Sequence, residues 1–191
     1  GSSRMGAGCI CGDWSKRAAR APWWGKGGQS LPDSITGNLI KLGFCTPKIS
    51  DSTKKWAMQQ LTLPNIRAND WLFRAYHAHD YFMNVKDFPN LEQYRQATIE
   101  NIIHCAQRHS RRGETNKYFP LFMFATSPES QIAKAMPSGL IDRFLDHIAS
   151  SQRDDGGWDD EHGLAYWQPY FSTVTLLALR NFNRASPNST S

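Results

Sequence analysis

Apolar positions recur at helical spacing along most of this chain. Ile141, Phe144, Leu145 and Ile148 stand at i, i+3, i+4 and i+7, the stripe of a helix that buries one face. Leu91, Tyr94, Thr98, Ile102 and Cys105 mark a longer helix to about Gln107, started by Pro89-Asn90. Ile35, Leu39, Ile40 and Leu42 follow Pro32 in a helix reaching about Phe44, which Thr46-Pro47 breaks. Ser50 or Asp51 is expected to cap the next helix, to about Leu61. Pro64 ends that region, and Asn69 or Asp70 caps a helix to about Val85 that is apolar around most of its circumference, which marks it as interior. A basic loop, Arg108 to Lys117, leads to a short apolar segment, Tyr118 to Ala125. A polar connection through Ser130 and Pro137 precedes the 139–151 helix, and Phe171, Val174, Leu176 and Leu177 open a last helix over 170–183. Alternating Val/Ile/Thr runs are missing, so the expected fold is all-α with about seven helices.

Three regions follow from this pattern. Residues 1–30 are Gly-, Ser- and Arg-rich, hold Trp14, Trp23 and Trp24, and read as irregular; 31–184 form the helical domain; 185–191 read as a disordered tail. An internal repeat spans the domain: Pro32-x3-Thr36-x2-Leu39-Ile40-x-Leu42 matches Pro169-x3-Thr173-x2-Leu176-Leu177-x-Leu179. Proline in the first turn suits both copies, because its missing N–H is not needed there.

Between the last two helices lies Gln152-Arg153-Asp154-Asp155-Gly156-Gly157-Trp158. A glutamine closing one helix, a Gly-Gly turn and a tryptophan predict a helical hairpin clamped at its joint, with the Gln amide meeting open backbone groups at the helix end. This joint, with Gln152, Gly156, Gly157 and Trp158, resembles the QW motif of the terpenoid cyclase and protein prenyltransferase α/α-toroid superfamily. The resemblance is specific over Asp146 to Phe182. It implies a partial α/α toroid, in which the partly polar helices (51–61, 91–107, 139–151) form an outer wall and the apolar ones (32–44, 70–84, 118–126, 170–183) an inner wall. Seven helices make fewer hairpins than the family's full ring. The expectation is therefore either missing upstream hairpins or self-association to cover the open faces.

The family's chemistry sets the candidates. Its protonating cyclases use an aspartic acid within an aromatic cavity, whose ring faces stabilise a carbocation. The Asp-x-Asp-Asp signature of those enzymes is missing here, as is the Asp-x-Cys of the zinc-binding prenyltransferases. On that basis no metal and no cofactor are expected. Asp80, supported by His77 on the same helix face, is the first candidate acid, with a hydrogen-bonded polar pair filling the interior as the alternative; Asp159 and Asp160 are the second, although carboxylates flanking a turn more often cap helix starts. His79 lies roughly 160° round the helix from His77, so the two do not form a metal pair. Trp71, Tyr76, Tyr166, Trp167 and Tyr170 are the expected substrate-lining aromatics, with core packing as the alternative for the last three.

Composition adds partners. The net charge is +5, gathered in Lys16-Arg17-Arg20-Lys26 and in Arg108-Arg111-Arg112-Lys117. Such clusters suit nucleic acid, an acidic lipid surface or a diphosphate, with solvated loops that hold no ligand as the alternative; of these a nucleic-acid partner is not expected. Four cysteines without CxxC spacing, no signal-peptide core and no long apolar run point to a reducing, cytoplasmic setting, with peripheral membrane contact compatible. The leading function is a terpenoid cyclase-like protein that acts on or binds an apolar isoprenoid, by carboxylic-acid protonation if active. The rival is a non-catalytic helical-repeat module that recognises a lipid, peptide or partner subunit. Sugar-active enzymes with paired carboxylates on a toroid fold form a third class.

Overall fold

The structure is a computed structural model, and it describes residues 32–159 and 165–184. The Trp-rich segment 1–30, Asp160 and the tail 185–191 lie outside the described residues. Among the described residues every regular element is helical. These are α1 (Pro32–Lys41), α2 (Pro47–Gln60), α3 (Leu63–Arg67), α4 (Leu72–Asn84), α5 (Leu91–Arg111), α6 (Phe119–Phe124), α7 (Gln131–Ala135), α8 (Leu140–Ser150) and α9 (Gln168–Asn181), with 3₁₀ turns at Thr115–Lys117 and Ala165–Trp167. The all-α expectation holds. Two short helices, α3 and α7, stand where irregular connections were expected.

Threonine and proline make the difference. Thr46 is the cap of α2, since its hydroxyl accepts from the Ile49 N–H at 3.4 Å, and Pro47 occupies the first turn without needing a donor. Ser50 and Asp51 are already inside that helix. Thr62 repeats the device ahead of Pro64, accepting from the Asn65 N–H, so this proline helps start α3. Ser130 does the same for α7, through the Ala133 N–H. The basic loop also shrinks, because α5 continues through Arg111 and closes only at Gly113, whose φ is 70°. There the Glu114 N–H reaches back to the His109 carbonyl, the paired closure that a left-handed glycine allows.

The chain divides into two compact units, Gly1–Ala68 with His77–Arg95, and Asn69–Tyr76 with Gln96–Ser191; α4 and α5 supply segments to both. In the first unit α1 packs on α2, and the buried Thr36 and Thr53 hydroxyls meet at 2.8 Å. Phe82, Phe88 and Tyr94 form an aromatic triangle with ring centroids 4.8–5.1 Å apart. Arg95 caps the end of α4, donating from Nε to the Phe82 carbonyl and from Nη2 to the Val85 carbonyl.

Helix α1 reverses the expectation for an inner-wall helix. Its polar residues Asp33, Ser34 and Thr36 are buried, while Ile35 is 59% and Leu42 65% exposed. Gly37 shows why: a Cβ there would lie 2.0 Å from the Asp80 carbonyl oxygen, so α1 approaches α4 backbone to backbone. The face that comes so close carries small and polar side chains, and the aliphatic stripe is left outside.

In the second unit the stripe predicted for α5 is buried at Thr98, Ile102 and Cys105 and half-buried at Leu91 and Tyr94, the latter pair belonging to the first unit. Asn69 and Asn101 exchange amide hydrogen bonds beside the buried Cys105 thiol. Helices α8 and α9 pack as a hairpin, and α9 also packs on α6, where the Phe119 and Phe171 rings stack at 4.7 Å. The buried stripe of α9 is Phe171, Thr175, Ala178 and Leu179, while Leu176 and Leu177 are exposed. The Pro32 and Pro169 copies therefore share sequence without sharing burial: Thr36 is buried where Thr173 is exposed, and Leu42 is exposed where Leu179 is buried.

Candidate functional site

The Gln152–Trp158 joint is built from its backbone outward. Gly156 takes a φ of 83°, open to glycine, and the Gln152 side chain donates to the Gly156 carbonyl at 2.9 Å. Trp158 is 1% exposed, and its indole N–H donates to the Ile148 carbonyl, 2.8 Å away, in the last turn of α8. The tryptophan thus meets a helix-end carbonyl, and the glutamine ties the turn. The Trp158 backbone N–H donates to Ser172 Oγ, which fixes the turn to α9.

Two acidic residues of the joint, Asp155 and Asp159, are used inside it. Asp155 accepts from the Gly157 N–H and pairs with Arg153, and Asp159 accepts from Arg153 and from the Gln168 side chain. They clasp the turn through Arg153 in place of capping a helix. Tyr166 and Tyr170 are exposed, Trp167 is half-buried, and the Trp167 and Tyr170 rings meet edge to face at 5.5 Å. Trp71 and Tyr76 are half-buried, with the Tyr76 ring 6.4 Å from that of Phe124. All five aromatics belong to the second unit, as does Asp159, whereas His77 and Asp80 belong to the first.

A polar cluster gathers on the inward face of α1 and the first-unit segment of α4. His77 Nδ1 lies 3.1 Å from Asp33 Oδ1, which also accepts the Ser34 N–H. Asp33 is fully buried, and its Oδ2 has no hydrogen-bond partner among the described residues. Asp80 Oδ2 accepts from Ser34 Oγ at 2.8 Å and from the Asn38 amide at 2.7 Å, and Oδ1 lies 3.4 Å from His79 Nδ1. Ser34 thereby touches both carboxyl groups.

Burial pushes the Asp80 carboxyl up, but the hydrogen bonds from His79, Ser34 and Asn38, with the charge of His79, outweigh it and hold the group below its usual value. Asp80 is therefore a carboxylate at neutral pH. Beside it, burial and then the charge of Asp33 push the Tyr81 hydroxyl up to about 12, so it stays a neutral phenol. Its oxygen is also buried without a partner among the described residues.

The arrangement can orient an imidazole. A carboxyl at Nδ1 places the ring proton there and makes Nε2 the basic nitrogen of neutral His77, whose side chain is 20% exposed. Among the described residues no three His, Cys, Asp or Glu side chains gather as metal ligands would. Asp33, Ser34 and Asn38 were not sequence candidates. Ser34 and Asn38, four apart, share a helix face, which is the one signal in the sequence; Asp33 follows Pro32 in the first turn, where acids are common.

The basic cluster is partly spent on structure. Arg108 pairs with Asp70 and Lys117 with Glu114, while Arg111 and Arg112 are exposed. Set beside known proteins, the chain matches no protein-family model, no curated protein and no solved structure.

Proposed function

We propose that this chain is an isoprenoid-binding helical-hairpin protein of the terpenoid cyclase and prenyltransferase type, and a partial toroid of that kind. The observation that carries the reading is the joint: a fully buried Trp158 on the Ile148 carbonyl and Gln152 on the Gly156 carbonyl. Both contacts hold the α8–α9 hairpin at its turn, which supports the reading. The polar cluster on α1 and α4 is the proposed reactive centre. Asp80 as a direct proton donor to an alkene would have to carry its proton at working pH, and its donors favour the charged form. In this reading Asp80 anchors the cluster, and His77, oriented by Asp33, is the side chain proposed for proton transfer.

Incubation of the purified chain with squalene and with prenyl diphosphates, with products followed by mass spectrometry and binding by equilibrium dialysis, tests it. Turnover lost in Asp33→Asn and His77→Gln with binding retained supports the enzyme. The second reading, a non-catalytic lipid-binding module, is favoured by the commitment of both Asp80 oxygens to other side chains. Binding without turnover, unchanged in Asp80→Asn, selects that reading. Absence of binding by well-folded protein sinks both.

A further inference from the structure

Helix α1 turns its polar face inward, and its aliphatic stripe runs along the outside. Ile35, Leu39 and Leu42, at i, i+4 and i+7, share that stripe, with Leu39 half-exposed and the other two exposed. The helix ends in a locked turn. Gly43 has φ 77°, its N–H donates to the Ile40 carbonyl, and the Phe44 N–H donates to the Leu39 carbonyl at 2.9 Å. In this closure the residue after the glycine usually packs back on the last turn of the helix. Phe44 does not: it is 72% exposed. The turn therefore holds an aromatic ring and Leu42 outward on a backbone that is itself fixed by hydrogen bonds. Ile49, in the first turn of α2, is also exposed.

The charges around the tip have one sign. Lys41 precedes it and Lys48 follows it, both exposed, and Lys55 is exposed further along α2. Lys54 is paired with Asp87, and Asp51 is the only acid between Lys41 and Lys55. Apolar side chains at a turn, flanked by lysines, match a bilayer interface: the rings and aliphatic groups enter the acyl boundary while the ammonium groups meet anionic headgroups. A second copy of the same face would instead set lysines against lysines.

We propose that the outer face of α1 and the Leu42–Ile49 turn form a docking surface for an anionic membrane. The surface uses none of the side chains of the Asp33–His77 cluster and stands whether or not an isoprenoid binds.

Sedimentation of the full chain with phosphatidylcholine vesicles, with and without phosphatidylserine, tests it, with sedimentation velocity run in parallel. Wild type is expected to pellet with the serine-containing vesicles and to be released by salt. Leu42→Ser with Phe44→Ser should weaken partition at least about tenfold without changing the helical signal or the thermal midpoint. Lys41→Glu with Lys48→Glu should weaken it and flatten its salt dependence. Wild type left in the supernatant, equal pelleting of the Leu42/Phe44 variant, or a dimer that this variant dissociates with no vesicle binding in either form would each overturn the proposal.

Discussion

Trp158 offers the sharpest test of the hairpin joint. Its side chain is 1% exposed, and its N–H holds the Ile148 carbonyl at 2.8 Å. A buried tryptophan removes about 200 Å² from water, worth about 5 kcal/mol at about 25 cal/mol per Å². Large-to-alanine substitutions in cores cost about 3–5 kcal/mol, and the lost hydrogen bond adds about 1 kcal/mol. Trp158→Ala should therefore destabilise by about 4–6 kcal/mol, a large part of the stability of a typical domain. Trp158→Phe keeps most of the apolar volume and loses the donor. The Ile148 carbonyl still accepts from the Ser151 N–H and hydroxyl, so the cost should be only about 1–2 kcal/mol. Urea unfolding followed by far-ultraviolet circular dichroism measures both, with slopes compared to confirm that the unfolded states match. A loss below about 1 kcal/mol for the alanine variant, or equal losses for the two variants, would refute this account of the joint.

Two further outcomes follow from the packing and the titrating groups. Gly37→Ala places a methyl group 2.0 Å from the Asp80 carbonyl oxygen and 2.8 Å from the Tyr81 nitrogen, backbone atoms that cannot swing aside. It should cost about 3 kcal/mol, at the upper end for overpacking, and change the His77 and His79 imidazole resonances; a near-neutral variant would contradict the close crossing of α1 and α4. Burial holds His109 below its ordinary 6.5 against the opposing pull of Glu114, and its Nε2 is buried without a partner among the described residues. The neutral ring is the one the fold accepts, so this stability is complete above about pH 6.5 and is lost as pH falls through the lowered folded value. His147, lowered by burial, acts in the same direction. Thermal midpoints flat from about pH 7 to 5, or a His109 resonance titrating above 6.5, would contradict it.

Helical stripes made much of the fold legible. The predicted stripes are buried at Thr98, Ile102 and Cys105 of α5 and at Phe144, Leu145 and Ile148 of α8, with Leu91, Tyr94 and Ile141 half-buried, because a 3.6-residue period tells which side chains share a side. That α8 and α9 turn back on each other at Gln152–Trp158 was legible too, since a Gly-Gly turn joins two amphipathic stretches, but the bonds of Gln152 to the Gly156 carbonyl and of Trp158 to the Ile148 carbonyl were not. Periodicity does not tell which side faces inward. For α1 the apolar stripe was the natural inner face, yet Gly37 brings its polar side onto the α4 backbone and leaves Leu42 in solvent. For α9 the buried face includes Thr175, whose hydroxyl donates to the Phe171 carbonyl and so satisfies itself locally, while Leu176 and Leu177 point out.

The candidate site divides along the same line. That His77 and Asp80 stand on one helix in an apolar setting was visible from the chain alone, because both the spacing and the neighbours are local. That His77 pairs with Asp33, and Asp80 with Ser34 and Asn38, depends on residues 42–46 positions away along the chain. Residue order determined the helices, their caps and the joint between α8 and α9, each set by interactions within a few residues. Only the tertiary structure decided which face of α1 is buried and which partner each carboxyl group takes, because both depend on how closely two distant backbones approach.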